Sequence, residues 1–379
     1  MTKQEAFSRA IGFLKELIAL ETVNPPGNER LAADYVARRL AEYGIAADVT
    51  EPVPGRANVV SRRTPGQGPV VVLTGHLDVV PVGDGWQTPP FVGTERDGKI
   101  FGRGACDMKG GIAAMMAAAV WNVAQGMETR PFQLAFVFDE EIYGEGTRTF
   151  LKDFREECFA VIGEPTENQI HVAHRGAIRF RILVHGRSCH AGSPSSGVNA
   201  IENMARVIQA VQRVNEGLKQ RKHPILPPPT LCATMIQAGT KDNIVPDLCE
   251  LVVDGRPGVG DTVESLQKAI QSEIEAGGGL QQGATVEFVP YINVTAGSVE
   301  TDSPIVRWAG DCYRSCFGQE PVVTCFPACC DLSQFTAAGH PAILYGPGSI
   351  AQAHTANEFV TLDQMQKAFT FYSRCLQKA

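Results

Sequence analysis

No cysteine pair in this chain follows a CxxC spacing, and its eleven cysteines are scattered from Cys106 to Cys375. A secreted disulfide scaffold is smaller and denser in cysteine. Most of the eleven are therefore expected to be reduced, buried thiols in a cytoplasmic protein, and a cysteine-based redox function lacks its motif. Long apolar runs are also missing. The longest, Ile112 to Trp121, is half of the roughly 20 residues that span a bilayer. The N-terminus, MTKQEAFSRA, has no apolar core and does not read as a signal peptide. Basic residues are outnumbered, 34 Lys and Arg against 41 Asp and Glu for a net charge of −7, and no basic footprint for nucleic acid stands out. Internal repeats and low-complexity tails are absent. What remains is ordinary for a globular protein: 379 residues, 44% hydrophobic and 20% charged. A single core stops growing near ~250–300 residues, so two domains are expected.

The first third alternates helix and strand patterns. Phe7, Ile11, Leu14 and Ile18 form a helical stripe over residues 3–20, and a second helix follows over 29–43, ended by Gly44. The Val-rich run 70–73 and the runs 132–138 and 158–162 read as buried parallel strands. An Ala- and Met-rich helix is expected over 110–125. This alternation implies an α/β fold with a mostly parallel central sheet covered by helices. From Ala177 the texture changes. Residues 178–184 alternate as a half-exposed strand, and helices over 199–219 and 262–275 are interleaved with strands over 230–237, 248–253 and 284–289. The β-α-β-β-α-β order suggests a small ferredoxin-like α/β sandwich with one open sheet face. From about Val294 the buried texture resumes and ends in a helix over 362–378. The smaller domain, 177–290, is thus expected as an insertion between 1–176 and 291–379.

Only eight histidines exist, so each can be weighed. His76 lies just past a buried strand, at the sheet edge where α/β proteins bind ligands. Asp78, two residues on, shares its face. A solvated His-Asp pair in a turn is the plainer reading. Asp107, among glycines in GRGACDMKGG, is either a helix N-cap or a residue in a closely packed site. Asp139, Glu140 and Glu141 directly follow another buried strand, where adjacent carboxylates repel unless a cation is present; a solvated loop is the alternative. Glu164 follows a third strand, and His354 sits near a Gly-Pro-Gly loop. The combination is more specific than any part. Two His and three carboxylates suit two Zn²⁺-like ions. With a bridging hydroxide the charges of such a set sum to zero, which a partly buried site tolerates best.

These motifs, GHLDVVP (75–81), GRGACDMKGG (102–111), DEE (139–141), GEPT (163–166) and AHTANE (353–358), resemble in type and order those of the M20 metallopeptidases, in the acetylornithine deacetylase and succinyl-diaminopimelate desuccinylase branch. The resemblance spans nearly the whole chain. It implies a zinc-exopeptidase-like catalytic domain with two Zn²⁺ per subunit, Co²⁺ or Mn²⁺ being able to substitute. His76, Asp107 and Glu164 would hold one ion, and Asp107, Glu141 and His354 the other, with Asp107 bridging. Glu140 would act as general acid and base on a metal-bridged water, Asp78 would support His76, and the Asp107–Met108 peptide would be cis. The inserted domain resembles the family's lid and dimerisation domain. GRSCHAGSPSSGVNAIE (186–202) implies that His190 reaches the partner subunit's site and polarises the scissile carbonyl. TKDNIVPD (240–247) and VVDGRP (252–257) imply substrate contacts from Asn243 and Arg256, unless these are structural polar residues. A homodimer acting on a small-molecule N-acyl amino acid follows, with no nucleic-acid or membrane partner.

Local details favour the deacetylase type, and with it a place in arginine biosynthesis. In GEPTENQIHVAHRG (163–176), His174 stands where the desuccinylase type carries an arginine before Arg175 and the glycine, so a succinyl carboxylate would lack one bidentate partner. GPGSIAQAH (346–354), opening at Gly346, also resembles the deacetylase. PACCDLSQF (327–335) departs from it: Asp331 is a candidate substitute for the usual glutamate, while Cys329 and Cys330 match nothing. A dipeptidase, carboxypeptidase or desuccinylase of the same family is the alternative. A catalytically dead binding protein is disfavoured by the retention of Glu140 and all five ligands.

Overall fold

The helix Lys3–Ile18 turns Phe7, Phe13, Leu14 and Leu17 inward. Its start is fixed by Thr2 Oγ1, which accepts the Glu5 N–H at 3.1 Å, while Glu5 Oε2 accepts the Thr2 N–H at 2.7 Å. The helix Lys109–Ala124 is buried at every position from Lys109 to Val120, as an apolar surface on all sides requires. It packs against Lys3–Ile18 and against the C-terminal helix Leu362–Leu376. This computed structural model describes residues 1–281 and 283–378. Among them, no helix is long and apolar enough to cross a membrane.

The chain divides into two compact units, Met1–Ala173 with Ser298–Ala379, and His174–Gly297. In the larger unit the sheet runs Ala47–Val53, Arg56–Ser61, Phe132–Val137, Val70–His76, Cys158–Ile162, Ala342–Leu344, Ile170–His174. The central four strands are mutually parallel, with His76 opposite Val137, Thr74 opposite Ile162 and Leu344 opposite Ile162. The margins are antiparallel. Parallel strands in register put all their C-terminal ends on one edge, so the segments after His76, Val137, Ile162 and Leu344 converge there.

The smaller unit is an antiparallel sheet, Thr230–Ala238, Leu248–Arg256, Ala177–His185, Thr285–Val294. Phe180, Ile182, Val184, Leu251 and Val253 turn to one face. They pack with Met204 and Val207 from the helix Ala200–Lys219 and Ile270 from Val263–Ala276. The last strand continues four residues beyond Pro290, keeping 291–294 with this unit. Asn199 is a cap rather than a helical residue: its Oδ1 accepts the N–H groups of Ile201 at 3.0 Å and Glu202 at 3.3 Å.

Candidate metal centre

The convergent strand ends gather the acidic and imidazole side chains. His76, the last residue of its strand, is buried, with Nε2 3.1 Å from Asp107 Oδ1. The other oxygen of the same carboxylate, Asp107 Oδ2, lies 3.4 Å from His354 Nε2, which is also 3.1 Å from Glu141 Oε2. One carboxylate therefore faces two imidazoles, one through each oxygen. Asp107 is no helix cap: Met108 precedes the helix, and the Asp107–Met108 peptide is cis. Glu140 Oε2 stands 4.0 Å from His76 Nε2. Two triads each have their ligand atoms within 4.8 Å of one another, His76 with Glu140 and Glu164, and His76 with Asp107 and Glu141. Two non-glycine residues of the site take left-handed backbone, Asp139 at φ +67° and His354 at φ +62°. Such torsions are costly and persist where surrounding structure imposes them.

Hydrogen bonds from behind fix this ring of groups. His76 Nδ1 lies 2.9 Å from the backbone oxygen of Asp78 and 3.6 Å from its carboxylate Oδ1, so the carbonyl makes the closer contact. The Asp78 carboxylate accepts the N–H groups of Glu140 and Glu141, both at 3.2 Å, which ties it to the acidic turn. Asn24 Nδ2 bridges Asp78 Oδ2 at 2.9 Å and Asp139 Oδ1 at 3.1 Å. Arg56 donates to Asp139 Oδ1 at 2.9 Å and to both oxygens of buried Glu29 at 2.7 and 2.8 Å.

The charge balance calls for cations. Burial pushes Glu140 and Glu164 well above the usual carboxylate range, and neighbouring carboxylates push further, although His76 opposes them. Burial also raises Glu141, against its bond to His354. Burial alone would depress His76, yet its contacts to Asp107 and Asp78 and the charge of Glu140 hold it well above the usual imidazole range. His354 is lifted to about 10 by its contacts to Asp107 and Glu141. The two imidazoles, each raised by carboxylates, stand among Asp107, Glu140, Glu141 and Glu164. Glu141 Oε1, in addition, is buried without a hydrogen-bond partner. Two ligand atoms about 2.0–2.1 Å from a tetrahedral ion stand roughly 3.3 Å apart, close to the 3.1–3.4 Å imidazole-to-carboxylate spacings found here. Imidazole and carboxylate donors suit zinc and its neighbours. The residues fit a pair of divalent ions.

The profile of Peptidase family M20/M25/M40 matches residues 72–378. The chain belongs to this family. It is, accordingly, an enzyme, a metal-dependent hydrolase. The acetylornithine deacetylase of Vibrio campbellii is 31% identical over 362 residues, which cover 93% of this chain and 92% of that protein. The acetylornithine deacetylase of Proteus mirabilis is 30% identical over 366 residues, covering 93% and 92%. Among solved structures, the aminopeptidase PepT of Bacillus cereus superposes with a TM-score of 0.78 at 18% identity, covering 98% of both chains. A dinuclear metal-binding peptidase of the M20 family from Bacillus subtilis gives 0.73 at 18% identity, covering 99% and 98%. At such identities the superpositions establish a shared fold.

The other residues singled out in this M20 chain fall into two groups. In the larger unit, Asp331 is buried and both its oxygens are engaged, Oδ2 by Thr147 Oγ1 at 2.6 Å and Oδ1 by Gln334 Nε2 at 2.9 Å. Cys330 is buried in the apolar cluster beside it. Gly346 packs so closely that a Cβ there would stand 2.3 Å from Gly163 O and 2.5 Å from Glu164 O. In the smaller unit, His190 and Asn243 are neighbours on a two-stranded ribbon: His190 pairs with Ile244, and the Ala191 N–H donates to Asn243 O at 2.9 Å. Arg175 Nη2 donates to Thr230 Oγ1 at 3.4 Å, and Thr230 pairs with Arg256, so both arginines lie at one end of the small sheet. Arg256 also lies 3.1 Å from Asp254.

Sequence reasoning missed Asn24, Arg56, Glu29, Arg103 and Glu358. Four of these lie within 3 residues of a Pro-Pro-Gly turn or inside a motif already singled out, which was a usable signal; Arg56 gave none.

Proposed function

We propose that this M20 enzyme removes the acyl group from an N-acyl amino acid, acting on small substrates in the manner named for its Vibrio relatives. The observation that carries the reading is Asp107, whose two oxygens face His76 and His354 separately. In this reading His76, Asp107 and Glu164 hold one divalent ion, and Asp107, Glu141 and His354 the other. Ions held there polarise the scissile carbonyl and acidify the attacking water. Two divalent ions bring four positive charges, of which Asp107, Glu141 and Glu164 offset three. Glu140 is then not needed as a ligand and remains available as a base. It takes the proton of the attacking water and returns it to the leaving nitrogen. Asp78, bonded to the Glu140 and Glu141 N–H groups, fixes the reach of both side chains.

His190 supplies the donor to the developing oxyanion. Its Nδ1 accepts the Gly192 N–H at 3.0 Å, which leaves Nε2 as the protonated, donating nitrogen. Arg175, Arg256 and Asn243 bind the polar groups of the amino acid. In this proposal the smaller unit serves as lid and dimerisation domain, with His190 acting in the partner's site. The structure joins none of the eleven cysteines in a disulfide, which suits a reducing cytoplasm.

The test is a panel of N-acetyl, N-succinyl and N-formyl amino acids and dipeptides, assayed with zinc-loaded enzyme. N-acetyl amino acids should turn over fastest, chelation should abolish turnover, and Zn²⁺ or Co²⁺ should restore it. Glu140→Gln should keep its metal and lose at least ~10²-fold in kcat. Faster cleavage of dipeptides would move the enzyme to the peptidases of the family, and near-normal activity of Glu140→Gln would remove Glu140 from the mechanism.

A further inference from the structure

Arg103 and Glu358 are opposite charges with 1% and 0% exposure, and neither is among the groups that face the centre. The antiparallel strands Lys99–Phe101 and Phe359–Thr361 bring them together, with Phe101 opposite Phe359. Arg103 Nη1 then meets Glu358 Oε2 at 2.6 Å. Every other bond of the pair goes to a loop. Glu358 Oε1 accepts the N–H groups of Cys106 at 2.8 Å and of Asp107 itself at 3.0 Å, and Oε2 accepts that of Gly104 at 3.1 Å. Arg103 Nη1 donates to Thr355 O at 3.3 Å, beside His354. Its Nη2 donates to Pro81 O at 3.1 Å and Val82 O at 3.2 Å, on the chain that leaves His76 and Asp78. The guanidinium also lies 5.3 Å over the Trp86 ring of that same loop.

Burying an ion pair costs desolvation that its own attraction hardly repays, so stability alone gives little reason for one here. Its geometry answers a different need. Charge-assisted bonds are short and directional, and these run to the loop after His76 and to the loops that carry Asp107 and His354. Asp107 has to present one oxygen to each imidazole, and a turn held only by its own glycines would leave that aim loose.

We propose that Arg103 and Glu358 are positioning residues, which hold Asp107 and His354 in the mutual aim that a pair of divalent ions requires. The inference rests on the two-metal reading above. Partners of this kind behind a metal ligand typically change metal affinity by about 10–100-fold when replaced.

The experiment compares metal-free wild type, Glu358→Gln and Glu358→Asp in Zn²⁺ titrations against a chromophoric chelator, and records visible absorption of the Co²⁺-loaded forms. Leu40→Ala, a core change in the helix Glu29–Ala41, serves as a control with lowered Tm. Glu358→Gln should lose about 10–100-fold in affinity at one or both ions and shift the Co²⁺ bands. Glu358→Asp, which keeps the charge, should lose less and carries the test if Glu358→Gln does not fold. Leu40→Ala should bind both ions as wild type does. Unchanged affinity and spectrum in the Glu358 variants overturn the inference, and so does an equal loss in Leu40→Ala. A wild type that fails to bind two ions overturns the metal reading itself, so the two failures are distinguishable.

Discussion

At Asp107 a single carboxylate serves two imidazoles, and the residues around it show how burial sets the properties of each ionisable group. Where carboxylates surround an imidazole, as at His354, its pKa is lifted to about 10. Where apolar packing surrounds it, the opposite happens. His171 and His174 are buried, and burial lowers each to about 4. Both stay neutral in the folded chain yet ionise near 6.5 once unfolded. A folded-state value below the unfolded one means that the unfolded chain binds more protons on acidification. The stabilising contribution is therefore complete above about pH 6.5 and is lost as pH falls towards 4, by on the order of 3 kcal/mol for each group. Urea titrations of the metal-free chain between pH 7 and pH 4 should show this slope, and His171→Gln should flatten it. An unchanged slope in that variant would count against a neutral His171.

At the scale of elements, Glu164 is placed by close backbone approach. The segment Gly163–Glu164 leaves its strand between two neighbours that both lack a side chain. A Cβ on Gly111, in the helix Lys109–Ala124, would stand 2.4 Å from Gly163 O, and one on Gly346 only 2.3 Å from the same oxygen. These are backbone contacts, so no flexible side chain can yield. Gly346→Ala should therefore displace Glu164. It should destabilise the fold by roughly 1–3 kcal/mol, as overpacking does, and weaken metal binding. Calorimetry and metal titration check both effects. The acidic turn is held in another way: the Gly144 N–H donates to Asp139 O at 2.5 Å, Gly144 has φ +67°, and Gln334 packs where its Cβ would be. Asp331, the candidate substitute for the family's glutamate, bonds Thr147 and Gln334 beside this turn.

For the whole molecule, the proposed role of His190 makes each active site a product of two chains. A donor opposite the metal ions completes the oxyanion site when a lid closes and excludes water. Among the described residues, the outer strands of the small sheet, Thr230–Ala238 and Thr285–Val294, each pair on one side only. Pairing such an edge with a second copy is a low-cost way to cover it. Mixing His190→Ala with Glu140→Gln and allowing the chains to exchange tests this. Each parent should be nearly inactive. Random equimolar exchange makes half the dimers mixed, and each of these has one intact site, so roughly a quarter of wild-type activity should return. No recovery, or a fully active monomer by light scattering, would falsify action in the partner's site.

The candidate site was legible in the order of residues because its groups sit at locally marked positions. His76 ends an apolar strand, Glu140, Glu141 and Glu164 lie within four residues of the ends of two others, and a parallel sheet has to bring such ends to one edge. The two-part architecture was legible for a similar reason, since residues 178–184 alternate where 70–76 and 158–162 do not. The supports of the site were not. Arg56 meets Asp139 across 83 residues, Arg103 meets Glu358 across 255, and Asn24 meets Asp78 and Asp139 across 54 and 115. No local pattern records such pairings, because a buried charge chooses its partner only after the strands have packed. The strands Ile170–His174 and Ala342–Leu344 and the helix Glu145–Asp153 escaped notice too, being short segments without a clear period. Sequence alone determined which groups are candidates for the chemistry and which sheet edge they share. Tertiary structure decided their aim, since only the folded chain sets one oxygen of Asp107 against His76 and the other against His354.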